Sequence, residues 1–318
     1  MTAVEAQMDV SRDMLGAIGR TPCVELRCVV PAGSARVLVK VESQNPTGSM
    51  KDRMALAVIE GALRRGLVEP GGRVVEYTGG STGTSLAFVC AAKGLAITVV
   101  TSDAFSKEKR DHMRALGAHV VEIPSHGGNT TRELIEHMMA RARELSTAPG
   151  AFAADQFNNT DASAGYAPLA EELWEQSGRA LDAFVQSVGT AQCIRGVAAA
   201  LRSLRPAVQV AAVEPAESPV LGGGVPGPHK IEGVGPGFLP PLWSAGIADE
   251  VIAVSTVEAL AMARRLAREE ALFAGTSTGA NVVAALRLAR RLGRAGTVAT
   301  IACDSGLKYL STELYGPA

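Results

Sequence analysis

Apolar and polar positions recur along this 318-residue chain with two periods. Ala55, Val58, Ile59, Ala62 and Leu63 repeat at helical spacing, and the pattern predicts an amphipathic helix that stops at Gly66. Short apolar runs at 73–76, 96–101 and 119–123 predict strands. Helical patterns lie between and after them at 81–93, 106–116 and 130–145, with Gly117 as the C-cap of the second. The alternation resumes with a helix over 164–176, a strand over 183–187, a helix over 193–204 and a strand over 208–213. Helices over 256–270 and 279–292 and a strand over 297–302 follow. Repeated strand–helix units predict mostly parallel sheets covered by helices on both faces, which is the α/β class. In such sheets ligands bind at the carboxyl ends of strands, so the loops that open helices are where chemistry is sought.

Composition narrows the possibilities. Apolar residues make up 47% and charged residues 20%, enough to bury a substantial core. Thirty-one basic residues against thirty-two acidic ones leave a net charge of −1, with no global field to collect nucleic acid or an anionic membrane. The longest apolar stretch, 86–100, is broken by Lys93 and Gly94 and reads as a helix followed by a strand, so no membrane span is expected. Glu5 and Asp9 stand where a cleavable signal would be apolar. Cys23, Cys28, Cys90, Cys193 and Cys303 are scattered without a CxxC pair, which points to buried thiols in a reducing compartment and a cytoplasmic protein. His112, His119, His126, His137 and His229 lack ligand spacing, and no metal site is expected. No GxGxxG opens an early helix and no P-loop signature occurs, which disfavours nucleotide binding.

Four loops remain as candidates. Asn45-Pro46-Thr47-Gly48-Ser49-Met50-Lys51-Asp52-Arg53 turns into a helix, with Lys51 in its first turn. A lysine so placed is either an ordinary exposed charge or a partly desolvated amine suited to Schiff-base chemistry. Thr78-Gly79-Gly80-Ser81-Thr82-Gly83 and Ser187-Val188-Gly189-Thr190-Ala191-Gln192 each link a strand to a helix, and Gly275-Thr276-Ser277-Thr278-Gly279 opens a third helix. Each is either a plain tight turn or an anion cradle of backbone N–H groups and hydroxyls. Together they suit a ligand that carries both a phosphate and a carboxylate. The Gly- and Pro-rich stretch 215–241, with Ile231, Val234 and Phe238 as apolar anchors, reads as an ordered binding loop whose conformation His229 helps to fix.

These motifs, in this order, resemble the cysteine synthase and cystathionine β-synthase branch of pyridoxal-phosphate enzymes. The resemblance runs from Ile18-Gly19-Arg20-Thr21-Pro22 to Lys308-Tyr309-Leu310-Ser311-Thr312 and includes Glu214-Pro215-Ala216-Glu217-Ser218 and Gly227-Pro228-His229-Lys230-Ile231-Glu232-Gly233. It implies the tryptophan-synthase-β-like fold type II, with two domains that each hold a helix-covered, mostly parallel sheet. A smaller mobile substrate domain, 45–157, would be inserted into a larger cofactor domain formed by 1–44 and 158–318. By the same resemblance Lys51 is the catalytic residue, holding pyridoxal 5′-phosphate and moving the α-proton. Gly189, Thr190, Ala191, Gln192 and Cys193 would hold the phosphate, Ser277 would face the pyridine nitrogen, and Asn45 would support the ring. Thr78, Gly79, Gly80, Ser81, Thr82 and Gln156 would grip the substrate carboxylate, with Ser81 also near the ring 3′-oxygen.

The implied reaction is β-replacement on an O-activated serine, O-acetylserine or O-phosphoserine, through an aminoacrylate to which a small nucleophile adds. Two features depart from the family pattern. Gly79 and Ser81 replace a serine and an asparagine, and Ala191-Gln192-Cys193 replaces a Gly-Gly-Thr run. The alternatives are therefore a non-sulfide nucleophile, a serine/threonine dehydratase-type elimination, or a cofactor-binding regulatory pseudoenzyme. A homodimer is what the family implies, and nothing in the sequence points to a serine acetyltransferase partner.

Overall fold

The computed structural model describes residues 10–128 and 131–316. Thr130, the expected first residue of one helix, and Glu5 and Asp9 lie outside the described residues. In chain order the elements are β1 (Cys23–Glu25), β2 (Arg36–Lys40), α1 (Lys51–Arg64), β3 (Arg73–Tyr77), α2 (Ser81–Lys93), β4 (Ala96–Ser102), α3 (Lys107–Ala115), β5 (His119–Ile123), α4 (Arg132–Ser146) and β6 (Ala151–Ala153). They continue with α5 (Asp161–Ala164), α6 (Ala167–Gln176), β7 (Ala183–Ser187), α7 (Gln192–Leu204), β8 (Gln209–Pro215), β9 (Glu250–Val254), α8 (Thr256–Glu269), α9 (Thr276–Leu292) and β10 (Thr297–Ile301).

Two sheets form. One has six strands in the order β1-β2-β10-β7-β8-β9, the other four in the order β5-β4-β3-β6. All pairings are parallel except β1 with β2, where Cys23 faces Lys40 in an antiparallel register. Strand residues alternate between faces, and both faces are apolar. In the larger sheet Leu38, Phe184, Val210 and Ala212 join one core with α1, α6 and α7, while Val37, Val39, Val185, Ala211 and Val213 join another beneath α8 and α9. In the smaller sheet Val74 and Val99 face that first core, and Val75 and Val100 pack against Leu134, Met138 and Ala142 of α4. One continuous core therefore runs between the two sheets, and the cleft above it is bordered by both.

The predicted helix over 164–176 is divided into α5 and α6. Tight packing accompanies the break: a Cβ on Gly165 would stand 2.7 Å from the Arg53 carbonyl oxygen. Strands β1, β2, β6 and β9 were not anticipated. β1 and β6 are three residues long and mostly accessible, too short for a period to show. The stretch 216–249 contains no helix or strand, yet Ile231 is fully buried. His229 Nδ1 accepts from the Ile231 N–H, which leaves Nε2 to donate to the Gly235 carbonyl at 2.9 Å and close the loop.

Candidate active site

Lys51 opens α1, and the turn before it is fixed by a buried polar network. Glu42 accepts two hydrogen bonds from Arg53, at 2.7 and 2.8 Å, one from Thr21 Oγ1 at 2.6 Å, and one from Asn45 Nδ2 at 2.8 Å. Arg53 reaches on to Glu172, which also pairs with the buried Lys40 at 2.6 Å. Burial alone would lower the Arg53 pKa, but the two carboxylates outweigh it and hold the guanidinium firmly charged. Each member is satisfied, which is the condition under which a buried ionic network rigidifies a loop. Asn45 spends its whole side chain here, since its Oδ1 accepts from the Gly19 N–H at 2.8 Å. Its contribution to the site is to hold the loop.

The Lys51 side chain keeps partial exposure, and among the described residues no hydrogen bond holds its amine. Desolvation lowers its ammonium pKa, opposed by the nearby Cys193, Cys303 and Asp304. An amine so destabilised as ammonium is suited to nucleophilic and proton-transfer work. Both thiols are buried and pushed in the other direction, Cys303 to about 11, chiefly by desolvation. Ser277, in the first turn of α9, is buried close to the Cys303 thiol.

Three helices end toward this lysine without a side-chain N-cap: α2, α7 and α9. Side-chain caps are found on α4 and α8, from Thr131 and Ser255, while α1, α3 and α6 also lack one, so it is the glycine and hydroxyl loops before α2, α7 and α9 that set these three apart. Helix N-termini leave N–H groups free, and the uncapped ones are the natural anion cradles. The loop before α7 is shaped for this. A Cβ on Gly189 would overlap the Gly233 carbonyl oxygen, and Ala191 is held at φ +65°, a left-handed conformation that costs a non-glycine residue about 1–2 kcal/mol. Gln192 points inward and donates to the Gln156 and Asn159 carbonyls at 3.1 and 3.0 Å, while accepting from Ser163. What this loop offers an anion is therefore its backbone N–H groups and the Thr190 hydroxyl, with Cys193 buried beside them. The uncapped amides, the close backbone approach that Gly189 permits and the unbonded Lys51 amine fit a phosphorylated aldehyde cofactor.

The loop before α2 is built from side chains. Thr78 Oγ1 accepts from the Gly80 N–H at 3.0 Å, and Thr82 donates to Gln156 Oε1 at 2.8 Å. Gln156 in turn donates to the Tyr77 carbonyl at 2.8 Å. Beneath them the buried Glu76 accepts from the Gln156 and Tyr77 N–H groups, yet desolvation still pushes its carboxyl up to about 8. Ser81 Oγ donates to Asp304 at 3.3 Å. Gly79 sits against an aromatic wall: a Cβ there would stand 2.9 Å from the Phe105 ring. The structure brings Lys51, Ser277 and the Gly189 loop together through Cys193 and Cys303, and it joins the Thr78 loop to Gln156. Glu76, Lys109, Asp304 and Lys308 escaped the sequence reading. Only the Lys308-Tyr309 motif drew attention to that end of the chain.

Known proteins match along nearly the whole chain. A family model described as pyridoxal-phosphate dependent enzyme matches residues 14–304. A cysteine synthase of Staphylococcus aureus is 43% identical over 300 residues, which cover 94% of this chain and 95% of that protein. Among solved structures, an O-ureido-L-serine synthase superposes with a TM-score of 0.90 at 38% identity, covering 96% of each chain. A cysteine synthase from Entamoeba histolytica gives 0.90 at 33% identity, covering 100% of this chain and 94% of that one.

Proposed function

The chain belongs to the pyridoxal-phosphate-dependent enzymes, with the fold type II architecture, and from that premise we propose that it replaces the β-substituent of O-acetylserine with a small nucleophile. The observation that carries the proposal is Lys51. Its amine is unbonded, its ammonium form is disfavoured by desolvation, and the uncapped helices α2, α7 and α9 surround it. In this reading Lys51 Nζ holds the cofactor. The loop 189–193 would hold its phosphate through backbone amides, and the Ser277 hydroxyl would be available to its ring nitrogen. Bound pyridoxal phosphate supplies the electron sink that lets the substrate α-proton leave.

The protein supplies position and proton transfer. The N–H groups and hydroxyls of loop 78–83, with Gln156, take the α-carboxylate. Lys51 Nζ would accept the α-proton of the bound donor as the β-acetate departs, and would return a proton to Cα once the nucleophile has bonded to the β-carbon. The names of the relatives favour replacement over net elimination and over a non-catalytic regulator, and they allow a nucleophile other than sulfide. Residues 45–157, which carry the four-stranded sheet, act as the mobile substrate domain, and residues 1–44 and 158–318 form the cofactor domain. The working form is a cytoplasmic homodimer; no helix among the described residues is long and apolar enough to cross a membrane.

An absorbance titration of the holoenzyme with O-acetylserine, O-phosphoserine and serine in turn tests the reading. A shift of the cofactor band with O-acetylserine at the lowest concentration is expected. A band that ignores all three would rule the donor class out.

A further inference from the structure

At the edge of the cleft lies an ion pair, buried on its lysine side, with no part in the chemistry above. Lys109 sits in the first turn of α3 with its side chain only 4% exposed, and its Nζ stands 2.5 Å from Glu232 Oε2. The same ammonium lies 4.3 Å from the centroid of the Tyr309 ring. Its aliphatic stem runs directly under Gly80, where a Cβ would come within 2.9 Å of Lys109 Cβ and 3.0 Å of its Cγ. Gly80 is the N-cap of α2, at φ +141°.

Glu232 is anchored on the opposite side. Its N–H donates to Thr276 Oγ1 at 2.9 Å, one residue before Ser277. The carbonyl of the next residue, Gly233, is the group that leaves Gly189 no room for a side chain. One ion pair therefore connects the substrate loop to both cofactor-side loops. Two other threads run beside it. Tyr309 and Ser81 both donate to Asp304 Oδ2, at 2.7 and 3.3 Å, and Glu108 accepts from the Ser311 N–H and hydroxyl, at 2.8 Å each.

A partly buried lysine–carboxylate pair adds little net stability, because the cost of taking the lysine out of water offsets the attraction. What it fixes is the register of the elements that carry it. We infer that Lys109 is a positioning residue for the donor amino acid: by pinning Gly80 to Glu232 it holds the first N–H groups of α2 toward the cleft, where the α-carboxylate binds. Lys109 touches no reacting atom. The inference rests on the β-replacement proposed above.

The test uses the holoenzyme and its Lys109→Met, Lys109→Arg and Glu232→Gln variants, together with the Lys109→Met/Glu232→Gln double variant. Without substrate, amide hydrogen exchange in segment 78–84 should quicken about tenfold in Lys109→Met and in Glu232→Gln, with the double variant no faster than either single. Lys109→Arg, which keeps the charge, should stay within about threefold of the parent. The O-acetylserine concentration that half-shifts the cofactor band should rise about tenfold in Lys109→Met, while turnover at saturation changes by less than about threefold.

Unchanged exchange at 78–84 would overturn the inference. So would single-variant effects that multiply in the double variant, or a loss confined to saturated turnover. Should Lys109→Met fail to fold, Glu232→Gln and Lys109→Arg carry the same comparison. A parent enzyme whose band ignores O-acetylserine would reject the proposed reaction instead, and the exchange data would still decide whether the pair pins Gly80.

Discussion

The two sides of the cleft are built in opposite ways. On the side of the six-stranded sheet the loops are packed so closely that side chains are excluded: Gly189 against the Gly233 carbonyl, Gly275 against Asp304 and the Tyr309 ring, with Ala191 in a left-handed conformation. The polar side chains there turn away, with Gln192 tied to residues 156, 159 and 163 and Asn281 tied to Ser187 and Ile301. On the side of the four-stranded sheet the surface is made of side chains that hold one another: Thr78, Thr82, Gln156, Glu76 and Lys109. On the proposed reading, a phosphate held by backbone amides tolerates changes of side chain, so Ala191-Gln192-Cys193 can stand where the family pattern has Gly-Gly-Thr. A substrate read by side chains does not, and on that reading Gly79 with Phe105 and Ser81 with Asp304 are the positions expected to set the identity of the donor.

The comparison can be broken in four places. The largest effect is expected at the lysine between the two sides. Lys51→Ala should lower turnover on the order of 10⁴-fold with the thermal midpoint nearly unchanged, measured by steady-state kinetics beside a melting scan. On the side-chain face, Glu76 should dominate stability against pH. Its carboxyl titrates near 8 in the folded chain and near 4.5 when free, so between those values the native state holds a proton that the unfolded state has released. Stability from this group is full below about 4.5 and is lost as pH rises through about 8. Glu76→Gln should remove that slope, worth up to a few kcal/mol at high pH, in urea unfolding at pH 5 and pH 9.

On the backbone face, Gly189→Ala forces a methyl into a carbonyl that cannot move aside. Equilibrium dialysis should show cofactor affinity reduced roughly 10–100-fold, the range expected of overpacking. The smallest effect separates the two faces most finely. Gly79→Ser should weaken O-acetylserine binding about tenfold through its contact with Phe105, without loss of cofactor, and Phe105→Ala in the same chain should restore most of it.

Much of this was legible from the residues. The period-2 and period-3.6 patterns located α2, α3, α7, α8, α9 and strands β3, β4, β5, β7, β8 and β10 to within a few residues, because each is apolar on the face or faces it buries. The glycine and hydroxyl loops at strand ends pointed to the cleft for the same reason. Strands β1 and β6 were not legible, being short and half-covered. Glu76, Lys109, Asp304 and Lys308 were missed on different grounds. Glu76 reads only as part of a short buried strand, while Lys109, Asp304 and Lys308 stand where a charge reads as solvated, and only the tertiary structure shows that all four are buried. The Arg53–Glu42–Glu172 network was hidden likewise, since its members lie 11 and 119 residues apart.

Two lysines in this site have ammonium groups made unfavourable by burial: Lys51, and Lys308, whose pKa falls to about 8 and whose amine has no partner among the described residues. Only one can be the cofactor lysine. Reduction of the holoenzyme with borohydride, followed by peptide mapping by mass spectrometry, distinguishes them. The account predicts the reduced cofactor covalently attached to the peptide that contains Lys51. Attachment at Lys308, or at no lysine at all, would contradict it.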